Sequence, residues 1–319
     1  MLEKEKIVNA ALNIVERLNE REKISNFELL EICRKQGIES IAGGSDYHLT
    51  HEILEVAINK HISKENFQQF ARITAEAPEL LARLERLEGK IPVQSWRSDD
   101  QQKLQQFSTP PPIAFLMTKI LNPSEGDLIL EPSAGTGSLA IWLRMFSCRI
   151  HLNELSERRR ALLELQGYAP TGFDAAFLDD LLPEEIKPDA VLMNPPFSSS
   201  AGRTKTNDSN FGFRHIRSAL SRLKPNGKLV ALMGTESATK TDKGRKFWSE
   251  IAAAYEPRAF IHLPKNAFYK YGTSIGTSIV CIVKNEPTYT LNRSEKRKSI
   301  LEITCKTLDE CLKYADVFN

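Results

Sequence analysis

The sequence predicts an α/β protein: a doubly wound sheet preceded by an all-helical N-terminal domain. Two observations carry this. From Asp127 onward, short apolar runs alternate with helical patterns of 10–15 residues, as strands and crossover helices do in parallel sheets. Before that, from about Glu3 to Glu88, apolar residues recur at helical spacing and no β-branched run is long enough for a buried strand. A third observation locates the centre of the chain. The run Leu128-Ile129-Leu130-Glu131 ends in an acid and passes at once into Pro132-Ser133-Ala134-Gly135-Thr136-Gly137. Glycine lacks the Cβ that keeps ligands away from backbone, and the helix that follows starts with free N–H groups.

The N-terminal helices are read from their faces and caps. Ile7, Ala11, Ile14, Val15 and Leu18 form one apolar stripe, and Ser25-Asn26-Phe27-Glu28 is a capping box with Gly37 as the stop. Gly43 to Asp46 reads as a loop. Thr50 and Ser63 read as caps of two further helices, and Pro78 as the opening of a last one through Leu87. Two short helices around a glycine turn also fit a helix-turn-helix. The stretch is acidic, however, with 13 Lys/Arg against 16 Asp/Glu up to Pro92, and a plain helical accessory domain fits better. The expected boundaries are 1–92 for this domain, 93–106 for a polar linker, 107–290 for the α/β domain and 291–319 for a C-terminal extension.

Within the α/β part, strands are expected at Leu128–Leu130, Arg149–Glu154, Ala175–Leu178, Asp189–Met193 and Lys228–Met233, with later ones at Phe260–Leu263 and Thr277–Val283. In such sheets ligands sit beyond the carboxyl ends of the strands. Those ends carry Glu131 with its glycines, Glu154, Asp179-Asp180 and Asn194, so four successive strands bring polar ends to one rim.

Composition excludes several classes of function. No apolar run approaches the ~20 residues of a membrane helix, and the N-terminus is too polar for a signal peptide. Five scattered cysteines form no Cys-x-x-Cys pair and the histidines show no ligand spacing. A metal site or disulfide framework is therefore not expected, and a reducing cytoplasm fits. The net charge of +2 hides an asymmetry: residues 203–246 hold 11 Lys/Arg against 3 Asp/Glu, which points to a polyanionic partner.

Three motifs in fixed order carry a resemblance: Phe107-Ser108-Thr109-Pro110, then Glu131 to Gly137, then Asn194-Pro195-Pro196-Phe197. From about Phe107 to Val283 the chain resembles the Rossmann-like class I S-adenosylmethionine-dependent methyltransferases. Within them it is most similar to the gamma group of N6-adenine DNA methyltransferases, of the phage and plasmid type that includes methylase domains of strawberry-notch-like helicase fusions. The resemblance implies S-adenosylmethionine as cofactor, DNA as partner and an exocyclic adenine amine as acceptor. Gly135, Gly137 and Ala134 would admit the methionine end, with Glu131 near its ammonium and Phe107, Thr109 and Pro110 closing over it. Glu154 would accept from the ribose hydroxyls. Asp179 would accept from the cofactor's adenine amine, with Asp180 the other candidate.

Asn194 and Pro195 would grip the acceptor amine through a side-chain and a backbone oxygen, Pro196 would stiffen the loop, and Phe197 would stack on the base. A target inside a duplex would have to be flipped out. Arg203, Lys205, Lys240 and Lys243 are expected at phosphates, and Phe268 or Tyr271 on the second face of the flipped base. Many relatives carry Tyr where Phe197 stands, which keeps the stacking and loses a hydroxyl. The stretch after Val283 is too small for a target-recognition domain. An RNA base or a protein glutamine amide would satisfy the same Asn-Pro-Pro motif, and a non-catalytic cofactor- or nucleic-acid-binding module is the rival of another class.

Overall fold

The computed structural model describes residues 4–20, 22–41, 47–64, 76–94, 107–196, 211–235, 241–273, 275–285 and 299–318. Among the described residues four N-terminal helices come first: α1 (Lys4–Asn19), α2 (Asn26–Lys35), α3 (Tyr47–Lys64) and α4 (Ala77–Lys90). The expected stripe on α1 is buried, with Ala10 added to it. The capping box of α2 is complete: Glu28 N–H donates to Ser25 Oγ at 3.2 Å, and Ser25 N–H donates to Glu28 Oε2 at 2.9 Å. Ser25→Ala should therefore cost about 1 kcal/mol in a denaturant titration; an unchanged midpoint would count against the cap. Thr50 and Ser63 are not caps, because α3 runs straight through both. Thr50 instead shares a buried hydrogen bond with Ser40.

Helix α5 (Pro111–Leu121) follows Pro110 and is buried along its whole length. Prolines suit its first turn because no N–H bond is lost there. Then come β1 (Leu128–Glu131), α6 (Ala140–Met145), β2 (Arg149–Leu152), α7 (Glu157–Leu165), the short α8 (Leu178–Leu181) and β3 (Ala190–Met193). After them run α9 (Phe211–Arg222), β4 (Lys228–Gly234), α10 (Asp242–Ala254), β5 (Glu256–His262), β6 (Thr277–Val283), β7 (Leu301–Thr304) and α11 (Leu308–Leu312). Among the described residues the sheet order is β2-β1-β3-β4-β6-β5-β7.

Two expectations need correction. The strand at Ala175–Leu178 is instead a 3-10 turn over Ala175–Phe177 that leads into α8. Asp174 causes this. Its carboxylate accepts from Ala176 N–H at 3.0 Å, a local cap that competes with ladder pairing. Only the single bridge Asn153–Thr171 remains where that strand would lie. The sheet is also mixed, since β6 runs antiparallel to both β4 and β5. Residues 263–276 between β5 and β6 hold just one 3-10 turn among those described, too little for a crossover helix.

The core lies in two layers. Along β3, Ala190 and Leu192 face one side while Val191 and Met193 face the other, and β4 alternates likewise. The first side packs against α1–α7 and α11, the second against α8–α10. The N-terminal helices thus share one continuous core with the sheet. The C-terminal segment completes both: β7 adds a parallel edge strand to β5, and α11 packs on α5 and α4.

Candidate cofactor and substrate site

Strand β1 lies between β2 and β3, so the chain leaves it toward opposite edges of the sheet. This is the topological switch point, where a crevice opens beyond the strand ends. Glu131 ends β1 on one side of it and Asn194 follows β3 on the other.

The turn after β1 has two residues in the left-handed region, Gly135 at φ +57° and Gly137 at φ +91°. A Cβ on Gly135 would project into open space, whereas one on Gly137 would meet Leu163 at 3.1 Å. Gly135 therefore leaves room for a ligand, and Gly137 leaves room for α7. Ala134 is buried and its N–H donates to Asn153 O at 2.9 Å. Asn153, fully buried, also donates to Pro132 O and Phe173 O and accepts from Phe173 N–H and Thr171 Oγ. One amide thus laces the turn to the segment that stands in for the missing strand.

Glu131 is 1% exposed and its Oε2 has no hydrogen-bond partner among the described residues. Burial, and then the neighbouring Glu154, hold its carboxyl well above the ordinary range. Such a group is costly to ionise unless a cation arrives. Glu154 accepts from Gly135 N–H at 2.7 Å and from Ser156 N–H at 2.9 Å. Burial raises it as well. A carboxylate has about four acceptor positions, so these two bonds leave room for a pair of hydroxyls.

Around these acids lies a network that the sequence motifs did not reveal. Glu52 of α3 accepts from Arg158 Nε at 2.6 Å and from Arg159 Nε at 2.9 Å. Its own burial opposes ionisation, but the two arginines outweigh it and lower its pKa. Glu55, also on α3, accepts from Ser108 Oγ and Thr136 Oγ1, both at 2.7 Å. Asn59 donates to Thr136 O at 2.9 Å. The three acids Glu52, Glu55 and Glu154 surround Arg159, whose burial pulls its pKa down while Glu52, Glu154 and Glu55 raise it. The sequence signal was present as positions 52, 55 and 59 along one helix, a polar stripe whose ordinary reading is a solvated face.

Asn194 has a fixed orientation. Its Nδ2 donates to Phe107 O at 2.9 Å and to Thr109 Oγ1 at 3.0 Å. A backbone carbonyl can only accept, so the amide cannot be reversed, and its oxygen is left for a donor. Thr109 is 4% exposed and Phe107 is half-buried, with Pro110 next to them at the start of α5. Pro195 is buried and Pro196 half-buried.

The remaining candidate residues divide. Phe197, Arg203, Lys205 and Lys240 lie outside the described residues, whereas Lys243 is exposed in the first turn of α10. Asp179 lies in α8, where Ser218 of α9 donates to its carboxylate at 2.9 Å. Asp174, which the motifs did not single out, follows Phe173 at the rim beside Asn153. Phe268 and Tyr271 need correction as stacking residues. They are 1% and 4% exposed, pack edge to face at 6.4 Å and belong to the core, so neither offers a ring face to a base. Their place in the family pattern suggests a stacking ring, and core packing, the other reading of these aromatics, is what burial shows.

A sheet with this switch point, a glycine turn after β1, an acid after β2 and an amide after β3 define a class I S-adenosylmethionine-dependent methyltransferase fold. Residues 113–248 match the family model of the methyltransferase small domain. Among curated proteins no sequence relative matches. Solved structures give the fold. A protein of Listeria monocytogenes assigned to the class I S-adenosylmethionine-dependent methyltransferases superposes with TM-score 0.51 at 16% identity, covering 99% of both chains. The type I restriction-modification methyltransferase subunit of Streptococcus thermophilus gives 0.51 at 20% identity, over 90% of this chain and 61% of that one. The modification subunit assigned to a type I restriction enzyme of Vibrio vulnificus YJ016 gives 0.51 at 15%, over 84% and 65%. The chain thus spans less than two thirds of either subunit.

The match over residues 113–248 is to a methyltransferase domain, and the cofactor of this fold is S-adenosylmethionine. The residues present fit it. The unpartnered Glu131 oxygen suits the ammonium, the spare acceptor positions of Glu154 suit the ribose diol, and the open face of Gly135 admits the chain between them. When bound, the cofactor supplies an electrophilic methyl on a sulfonium. Among the described residues no group of His, Cys, Asp or Glu could hold a metal ion, and no helix is long and apolar enough to cross a membrane.

Proposed function

We propose that the chain transfers the methyl group to the N6 amine of adenine in DNA. The observation that carries this reading is the orientation of Asn194. With its Nδ2 engaged by Phe107 O and Thr109 Oγ1, its oxygen is free to accept one hydrogen of an exocyclic amine. The carbonyl of Pro195 would take the other. Two acceptors on one amine hold its lone pair in line with the donor methyl and stabilise the positive charge that develops on nitrogen. No covalent nucleophile is required, and the Asn-Pro-Pro-Phe sequence offers none.

An adenine paired in a duplex cannot reach this crevice, so the base would leave the stack, with Phe197 on one face. The basic segment 203–246 supports a polyanionic substrate, and the Vibrio and Streptococcus subunits of similar fold carry restriction-modification names, which favours DNA. In this reading Asp174 rather than Asp179 serves the cofactor's adenine amine. Each carboxylate already accepts one bond, Asp179 from Ser218 and Asp174 from Ala176 N–H, but Asp174 adjoins the segment tied to β2 at the rim.

The test is transfer of labelled methyl from S-adenosylmethionine to unmethylated DNA, tRNA, rRNA and a protein extract, with mapping of the modified base. N6-methyladenine in DNA is the expected product. Label confined to RNA or protein would reject the substrate, and cofactor binding with no transfer at all would favour the non-catalytic reading. Reversing the charges of Arg203 and Lys205 should weaken DNA binding and flatten its dependence on salt by roughly one unit of slope per lost phosphate contact. Identical salt titrations for the variant and the parent would take these residues out of the interface.

A further inference from the structure

We infer that helix α3 is a working part of the cofactor site, with Glu55 the positioning residue that couples its two cofactor-binding segments. The inference rests on the S-adenosylmethionine assignment above and adds a role for the N-terminal helices.

The geometry is specific. A single oxygen, Glu55 Oε2, accepts from Ser108 and from Thr136. Ser108 lies between Phe107 and Thr109, the two residues that hold Asn194. Thr136 lies between Gly135 and Gly137. Neither glycine has a side chain with which to anchor the turn, so Thr136 carries the only side chain of that triplet, and its hydroxyl is spent on Glu55. Its carbonyl is held too, by Asn59 one turn further along α3 and by Gln166 Nε2 at 2.9 Å. One turn in the other direction, Glu52 fixes Arg158 and Arg159 at the start of α7, directly after Glu154.

Three side chains of one helix therefore fix the turn that admits the methionine end, the segment that closes over it and the helix behind the ribose acid. Burial raises the carboxyl of Glu55, but one of its oxygens accepts from both hydroxyls, whereas an amide sets a donor-only NH2 beside its single oxygen and holds the pair less well. Glu55 is buried under the surrounding helices and touches neither reacting atom. It acts through the two segments, and loosening it should appear as lost cofactor affinity.

The experiment measures S-adenosylmethionine binding by calorimetry, beside thermal melts, for the full chain and its variants Glu55→Gln, Ser108→Ala/Thr136→Val, and the triple combination. Glu55→Gln should weaken binding by about tenfold, and the hydroxyl-free double variant by a similar factor. The triple variant should bind no more weakly than the double, because the bonds are already gone. Parent-like affinity in folded Glu55→Gln, or penalties that multiply in full in the triple, would overturn the inference. Should Glu55→Gln fail to fold, Ser108→Ala and Thr136→Val test the same bonds from the other side, and unchanged affinity in both rejects the coupling. A parent protein that does not bind the cofactor rejects the underlying assignment instead, so the two failures are distinguishable.

Discussion

Asn194→Ala should reduce methyl transfer by about a thousandfold, the loss that follows removal of one preorganised partner of a developing charge. Cofactor affinity should stay within about fivefold of the parent, because the Phe107–Pro110 segment keeps its second anchor through Ser108 and Glu55. The structure also predicts the outcome for Asn194→Asp. An acid cannot donate to Phe107 O, so its oxygens would repel that carbonyl and the side chain would turn away. The isosteric variant should therefore be as inactive as alanine. Initial rates at saturating donor, together with donor titrations by calorimetry, decide the matter. If affinity falls in parallel with turnover, Asn194 supports the cofactor site and not the acceptor.

Glu131→Gln should have the second large effect, with opposite signs in the two states of the protein. Removing one partner of a desolvated charge pair costs about 2–5 kcal/mol, so S-adenosylmethionine should bind at least roughly thirtyfold more weakly. The cofactor-free protein should become more stable. Burial, and then Glu154, raise the carboxyl of Glu131 in the folded chain, so the folded state keeps its proton to higher pH than the unfolded state does. By linkage, stability is full below the ordinary carboxylate range and declines as pH rises through the folded value. Glutamine has no proton to lose. The gain in melting temperature of Glu131→Gln over the parent should thus be small near pH 5 and grow toward pH 8.

Binding of the cofactor to the parent should release protons, which titrations in buffers of different ionisation enthalpy would register. A pH-independent difference between the two melting curves would mean that Glu131 is already ionised in the empty site.

The parts of this protein that could be read from its sequence are those in which neighbouring residues settle their own geometry. The capping box needs only Ser25 and Glu28. The glycine turn needs only an acid at the end of β1 and two residues able to take positive φ. Asn-Pro-Pro fixes the direction of its own backbone. These local rules, with the alternation of strand and helix patterns, gave the fold class and placed Glu131, Glu154 and Asn194 at one rim. Short apolar runs were less certain. Ala175–Leu178 looks like a strand until Asp174 folds its carboxylate over the next two residues, and both outcomes fit the same four side chains.

What the tertiary structure alone decided are the pairings made at a distance. Glu55 meets Thr136 across 81 positions and Asn194 meets Phe107 across 87. No window of sequence reports such contacts. The polar stripe of α3 is the clearest case. On an isolated helix, Glu52, Glu55 and Asn59 would face water. Here they face a glycine turn and two arginines, and the compensation for burying them comes from groups supplied by another part of the chain. The same holds for Phe268 and Tyr271, whose rings are as suited to stacking on a base as to filling a core; packing against the N-terminal helices assigned them to the core. The sequence determined which chemistry stands at the strand ends, because that follows from backbone geometry over a few residues. The fold determined what holds it in place, because burying a polar group is favourable only where its distant partner arrives.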